Sequence, residues 1–213
     1  MSSRPKKTQP RPASRFCLIT PAITDPAGFS AALQTACAAG DIAAVLLRLA
    51  AADERTLINR AKLLAPVAQA ARAAVLLDGH ADLVARAGAD GAHLSGLSDF
   101  DAARAHLKPD RIAGVGALAS RHDAMLAAEG GADYVMFGGA DADPTATHER
   151  IAWWAEVFEI PCIGFAAHRA EAATLAAAGA DFVALGFVFN DARGPAAALT
   201  EAAQDLLLLE TTP

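Results

Sequence analysis

Short runs of successive apolar residues recur at regular intervals along the chain. They are Phe16–Thr20, Ile42–Leu47, Ala73–Leu77, Gly91–Leu94, Ile112–Gly116, Tyr134–Phe137, Cys162–Phe165 and Phe182–Leu185. Each is too short for a helix and lacks the apolar–polar alternation of a half-exposed strand. That is the pattern of a parallel strand buried on both faces. Between the runs lie Ala-rich stretches with helical periodicity, among them Pro26–Ala39, Asp53–Ala71, Ser120–Glu129, Thr147–Phe158, Arg169–Ala178 and Pro195–Leu209. Strand and helix therefore alternate. A weak repeat marks the same rhythm: Ala87-Gly88-Ala89-Asp90, Gly130-Gly131-Ala132-Asp133 and Ala178-Gly179-Ala180-Asp181 each close a helix and open a strand. Glycine there supplies the left-handed conformation that ends a helix. Eight such units in a chain of 213 residues predict a single (β/α)8 TIM barrel over residues 16–213. A doubly wound open sheet would rarely need eight parallel strands at this length.

Composition agrees with one packed domain, since 54% of residues are hydrophobic and 20% charged. Charge adds a distinction between the two parts of the chain. Residues 1–15 hold five basic residues, Arg4, Lys6, Lys7, Arg11 and Arg15, and no acid, which leaves 13 basic residues against 24 acids and a body charge of −11. The Ser- and Pro-rich start is read as a disordered basic arm. It has no apolar stretch of the kind a secretory signal needs. The acidic body argues against a partner held through nucleic-acid phosphates, and no run is long enough to span a membrane. Cys17, Cys37 and Cys162 are odd in number and far apart, as expected of buried reduced thiols in a cytoplasmic protein.

A barrel of this kind carries its chemistry on the loops after the strands. Arg48, ending the run VLLRL, is placed to clamp a phosphate or carboxylate, or else to pair with a loop acid. Asp78 and His80 follow the third run and His93 lies in the fourth. Together they could exchange protons or hold a divalent ion; separately they read as a helix cap, a solvated imidazole and a hydrogen-bonded core residue. Gly114-Val115-Gly116-Ala117-Leu118-Ala119 spells a dinucleotide fingerprint, but the confirming acid falls on the wrong side of the next strand, so the glycines read as room in a tight barrel. Gly138 and Gly139, followed by Thr145 and Thr147 near a helix start, suit a phosphate; one of the threonines could instead simply cap that helix. Gly164 and Gly186 end the last two strands, where barrels commonly hold a phosphate.

From Phe16 to Asp205 the chain resembles the thiamine phosphate synthase / TenI-like family. The resemblance rests on CLIT, VLLRL, LLDGHADLVARAGADGAHLSG, GVGALAS, GGADYVMFGG, PTAT, IPCIGF and AGADFVAL. It implies a TIM-type barrel with a phosphate-bearing thiazole, pyrimidine or thiamine phosphate at the barrel mouth. The synthase joins hydroxymethylpyrimidine diphosphate to thiazole phosphate with Mg²⁺. Measured against that pattern Arg48 is kept, while Leu46 and Ala50 stand in the Gln and Lys places and Gly79 in that of a Mg²⁺-binding Asp. Ser98 falls where the second acidic ligand is expected, with Asp99 beside it. Ala146 replaces the lysine of the Thr-x-Thr element, Ala166-Ala167 a glycine pair, and Ala119 the tautomerase histidine. The expectation is therefore a barrel that binds a small phosphate ligand with no resident metal or cofactor. Its reaction would be one of thiamine metabolism, or it would be a non-catalytic barrel binding a ligand or a protein. The superfamily resemblance also implies a homo-oligomer.

Overall fold

A computed structural model describes residues 13–210. The expectation for the basic arm lies outside the described residues over 1–12, and its last residue is ordered. Arg15 opens the first strand and its guanidinium forks onto the Asp41 carboxylate at 2.7 and 2.8 Å.

The first half of the chain supplies β1 (Arg15–Ile19), α1 (Pro26–Ala38), β2 (Ile42–Leu47), α2 (Glu54–Ala70), β3 (Ala74–Asp78), α3 (Val84–Ala87), β4 (Gly91–Ser95) and α4 (Leu97–Leu107). The second supplies β5 (Ile112–Gly116), α5 (Arg121–Glu129), β6 (Tyr134–Phe137), α6 (Pro144–Val157), β7 (Cys162–Ala166), α7 (Arg169–Ala177), β8 (Phe182–Leu185) and α8 (Pro195–Glu210). Every neighbouring pair is parallel. β1 also pairs with β8, so the sheet closes into a barrel in sequence order and the open-sheet alternative is excluded.

Period-two alternation along the strands separates two apolar layers. Leu18, Val45, Leu47, Val75, Leu77, Val135 and Val183 face outward into the layer shared with the helices. Cys17, Ile19, Leu46, Leu76, Tyr134, Ile163 and Ala184 face inward and fill the barrel down to a cavity of about 20 Å³. Two glycines make this inner packing possible. A Cβ on Gly114 would lie 1.9 Å from the Tyr134 ring, and one on Gly116 would lie 2.7 Å from Nε2 of His93. The dinucleotide-like spelling is thus space for two rings.

The repeated Gly-Ala-Asp segments do structural work at the opposite end from the mouth. Gly88, Gly131 and Gly179 have φ of +71°, +88° and +102° and turn the chain out of its helix. Asp90, Asp133 and Asp181 then accept from the backbone N–H of Val75, Ala113 and Cys162 at 2.7–2.8 Å. Each also donates its own N–H to the carbonyl of that same residue. Every such aspartate locks an even strand to the start of the odd strand before it.

Candidate functional site

The C-terminal rim brings together residues far apart in sequence. Arg48 follows β2, and its position is fixed from β1: its N–H donates to Thr20 Oγ1 at 3.0 Å and its carbonyl accepts from Ile23 N–H at 2.8 Å. Its Nε lies 3.4 Å from Oδ2 of Asp78, the last residue of β3. Both side chains remain accessible, at 52% and 36% exposure, so this is a solvent-facing ion pair and a weak one. Asp78 is in register with His93 on β4. Gly79 turns away at φ +85°, and His80, half-buried, begins a short 3-10 turn without a side-chain cap.

His93 is buried at 6% exposure and stacks on Tyr134, with ring centroids 5.8 Å apart and planes within 8°. Its Nδ1 lies 2.9 Å from the Tyr134 hydroxyl. Every fully buried side-chain nitrogen or oxygen among the described residues has a partner. Nε2 has no hydrogen-bond partner among the described residues and lies against Gly116 of β5. Burial pushes the His93 pKa down to about 4, with the nearby Asp78 charge opposing, and burial holds the Tyr134 phenol well above its usual 10.

The consequence for stability has a definite sign. Between pH 6.5 and about 4 an unfolded chain binds a proton at this histidine that the folded chain refuses. Stability is therefore complete above that window and falls as pH drops through it, by about 3 kcal/mol in all. Urea midpoints measured down through the window should fall, and should fall less steeply in His93→Gln. Equal slopes would show that His93 does not carry the effect.

The loop between β6 and α6 forms a shoulder beside the mouth. Gly138, at φ +92°, leaves room for Thr147, and nothing lies within 4 Å of a Cβ on Gly139. Neither threonine caps α6. Asp143 does, accepting from Thr145 N–H at 3.0 Å, and Pro144 opens the helix three residues before the expected start. The Thr147 hydroxyl is committed to the Asp143 carbonyl. A cavity of about 500 Å³ lies between this loop and the β7–α7 turn, and one of about 310 Å³ between it and β5. Arg150 lines the smaller, but its guanidinium already donates to the Leu118 and Ala119 carbonyls. Arg121 lies over the Trp153 ring at 4.8 Å.

Gly164 lies apart from the mouth. It sits mid-strand in β7 and faces outward, where a Cβ would meet Ile151 at 2.7 Å and Leu175 at 3.1 Å. Gly186 does reach the rim, but the Phe165 ring covers it, 2.7 Å from where a Cβ would be. After β7, Glu171 accepts from Ala167 N–H at 2.7 Å and His168 N–H at 3.4 Å. Tyr134 and Glu171 are functional neighbours that the sequence pattern does not mark.

The family model described as Thiamine monophosphate synthase matches residues 16–189. The chain belongs to the thiamine monophosphate synthase family. It is 41% identical over 197 residues to the thiamine-phosphate synthase of Rhodospirillum centenum, covering 88% of this chain and 95% of that protein. It is 39% identical to that of Hyphomonas neptunium, covering 90% and 93%. A solved thiamine phosphate pyrophosphorylase from Pyrococcus furiosus superposes with a TM-score of 0.75 at 19% identity, over 92% of this chain and 96% of that one, and shares the fold. No helix among the described residues is long and apolar enough to cross a membrane.

Within this family frame the Mg²⁺ implied by the resemblance meets an unsuitable donor set. Asp78 offers one carboxylate, weakly paired with Arg48, and Gly79 has no side chain to offer. Ser98, exposed in the first turn of α4, brings only a neutral hydroxyl. Octahedral Mg²⁺ is held by hard oxygen ligands, usually one or two carboxylates besides substrate phosphates. Asp99 stands beside Ser98 in the same turn, and among the described residues no group of three or more His, Cys, Asp or Glu side chains is placed to hold a metal ion.

Proposed function

We propose that this barrel binds a phosphate-bearing thiazole, pyrimidine or thiamine phosphate at its C-terminal mouth, without the Mg²⁺–diphosphate arrangement of the synthase. The supporting observation is the polar row Arg48–Asp78–His93–Tyr134, contributed by the loop after β2 and by three strands, and open to solvent at the Arg48 end. Arg48 is the anion-holding group, because its guanidinium is exposed and only loosely engaged by one carboxylate. The buried Tyr134 hydroxyl needs an acceptor for its proton, and His93 Nδ1 is the one beside it. That leaves Nε2–H as the ring's donor. His93 thus offers a neutral hydrogen bond to a ligand oxygen, with Tyr134 fixing the tautomer and Asp78 orienting Arg48.

The other candidates take lesser parts. Gly138, Gly139 and Thr145 wall the shoulder, and His80 stands at the rim. Thr147 and Gly164 are occupied with packing, and Gly186 is screened by Phe165.

Arg48→Met should weaken binding of thiazole phosphate or thiamine phosphate by about 1.5–3 kcal/mol, the worth of a charged hydrogen bond. Asp78→Asn, which keeps an oxygen to orient Arg48 but removes the charge that competes for it, should not weaken it. Isothermal titration with and without Mg²⁺ checks both. Unchanged affinity in Arg48→Met would remove Arg48, and with it this reading of the mouth.

A further inference from the structure

Apolar side chains gather on the outer face of α5 and α6, away from the mouth. Among the described residues six large hydrophobic side chains are exposed, and three of them, Met125, Leu126 and Val157, lie on these two helices. Val157 is 61% exposed, and one turn above it on the same stripe Trp153 is half-buried. One turn above Met125 stands Arg121, whose guanidinium lies 4.8 Å from the centre of the Trp153 ring. The two stripes therefore border one groove. Trp153 is held edge-on against Trp154 and Phe158, at 5.7 and 5.2 Å. The Trp154 indole N–H donates to the Ile160 carbonyl at 2.7 Å, whereas that of Trp153 has no acceptor among the described residues. A rigid tryptophan beside an arginine, set among exposed apolar side chains, is the combination that anchors protein interfaces.

The charges around the groove select its partner. Arg121 and His122 open α5 at the mouth end, and Glu129 closes it about 12 Å below, with Glu156 at the same lower end of α6. All four are exposed. Asp123 is taken up in the α5 capping box, and Arg150 by two carbonyls. Glu149, one turn above Trp153, adds an acid at the upper part of α6, so the basic end belongs to α5. Along α5 the face is thus basic above, apolar in the middle and acidic below. Such a face complements itself. A twofold axis through the groove turns a second copy end for end, so that Arg121 of each copy lies opposite Glu129 and Glu156 of the other. The apolar middle then meets its own image.

We propose that the α5–α6 face is a twofold interface between two copies of this chain, centred on Trp153, Val157 and Met125 and closed at both ends by Arg121–glutamate pairs. The contact is independent of what the mouth binds, since it lies on the outer helices. Stable interfaces bury roughly 800 Å² on each partner. Two neighbouring helices of 9 and 14 residues approach that only if most of their outward face takes part. The dimer is therefore reversible, with a dissociation constant on the order of micromolar. Each charge pair occurs twice across the axis, so one substitution acts at both ends of the interface.

Sedimentation velocity of the full chain between about 1 and 100 μM, a range that brackets such an affinity, tests the proposal. The mass should rise from that of a monomer to that of a dimer. Val157→Glu places a charge in the apolar middle and should raise the dissociation constant roughly tenfold or more. Leu63→Glu, at a side chain 58% exposed on α2, should leave it unchanged. Arg121→Glu sets like charges against Glu129 and Glu156 and should also weaken the dimer. Arg121→Glu combined with Glu129→Arg should restore much of it, because the two reversed charges again face each other across the axis. Rescue of that kind separates the contact from any loss of packing within one copy, and the charge variants serve if Val157→Glu fails to fold. A monomer at every concentration would leave this face to a different partner and overturn the proposal. So would a dimer indifferent to Val157→Glu, one broken equally by Leu63→Glu, or a charge reversal without rescue.

Discussion

Gly114→Ala should lower the melting temperature by roughly 6–12 °C, corresponding to about 3 kcal/mol in a domain of this size. The added Cβ would lie 1.9 Å from the Tyr134 ring and 2.4 Å from its hydroxyl oxygen. The ring cannot step aside freely, since it is fully inside the barrel and bonded to His93. Overpacking of this kind typically costs about 1–3 kcal/mol, and loss of the His93–Tyr134 bond adds about 0.5–1.5 kcal/mol. Gly139→Ala is the natural control, because nothing lies within 4 Å of its Cβ. Differential scanning calorimetry of both variants decides the matter. In a Tyr134→Leu background the cost of Gly114→Ala should shrink; an undiminished cost would show that the ring is not the obstacle.

That glycine illustrates how far the sequence could be read. The strands were legible because both faces are buried, and Ile42–Leu47, Ile112–Gly116, Tyr134–Phe137 and Phe182–Leu185 hold to the residue. α3 and α4 were less visible: α3 is a single turn, and α4 buries only Phe100 and Leu107, too thin a stripe to show periodicity. At the site, Arg48 stood out as a cation ending an apolar strand. Its pairing with Asp78 did not, because it depends on the register of β2 against β3. Tyr134 looked like core within YVMF, and only the closed barrel places it against His93. Two misplacements had signals in the sequence. Gly164 is out of phase with the inward-facing Ile163 and Phe165, so alternation puts it on the helix side. Asp143-Pro144 is a strong helix-start pair, an N-cap followed by Pro at the first helical position.

Thiamine phosphate formation by the purified protein should be at least 10⁴-fold slower than an ordinary enzyme turnover of about 10 per second. The chemistry asks for positive charge around a departing diphosphate, and each missing contact of that type costs about 10²–10³ in rate. At this mouth Arg48 shares its charge with Asp78, and Ala50 donates only its backbone N–H to the Ile23 carbonyl. Gly79 and Ser98 supply no carboxylate for a metal, and Ala146 brings no charge to the start of α6. Arg150 and Arg121 stand near, but the first is bonded to two carbonyls and the second lies over Trp153. Phe165 covers the backbone at Gly186, where a second phosphate would need close approach. Single-turnover incubation with hydroxymethylpyrimidine diphosphate, thiazole phosphate and Mg²⁺, followed by product detection, measures the rate directly. Turnover clearly faster than about 10⁻³ per second would contradict this account. It would require Arg121, Arg150 or His148 to swing onto the diphosphate, and alanine at whichever of the three does so would then abolish the activity.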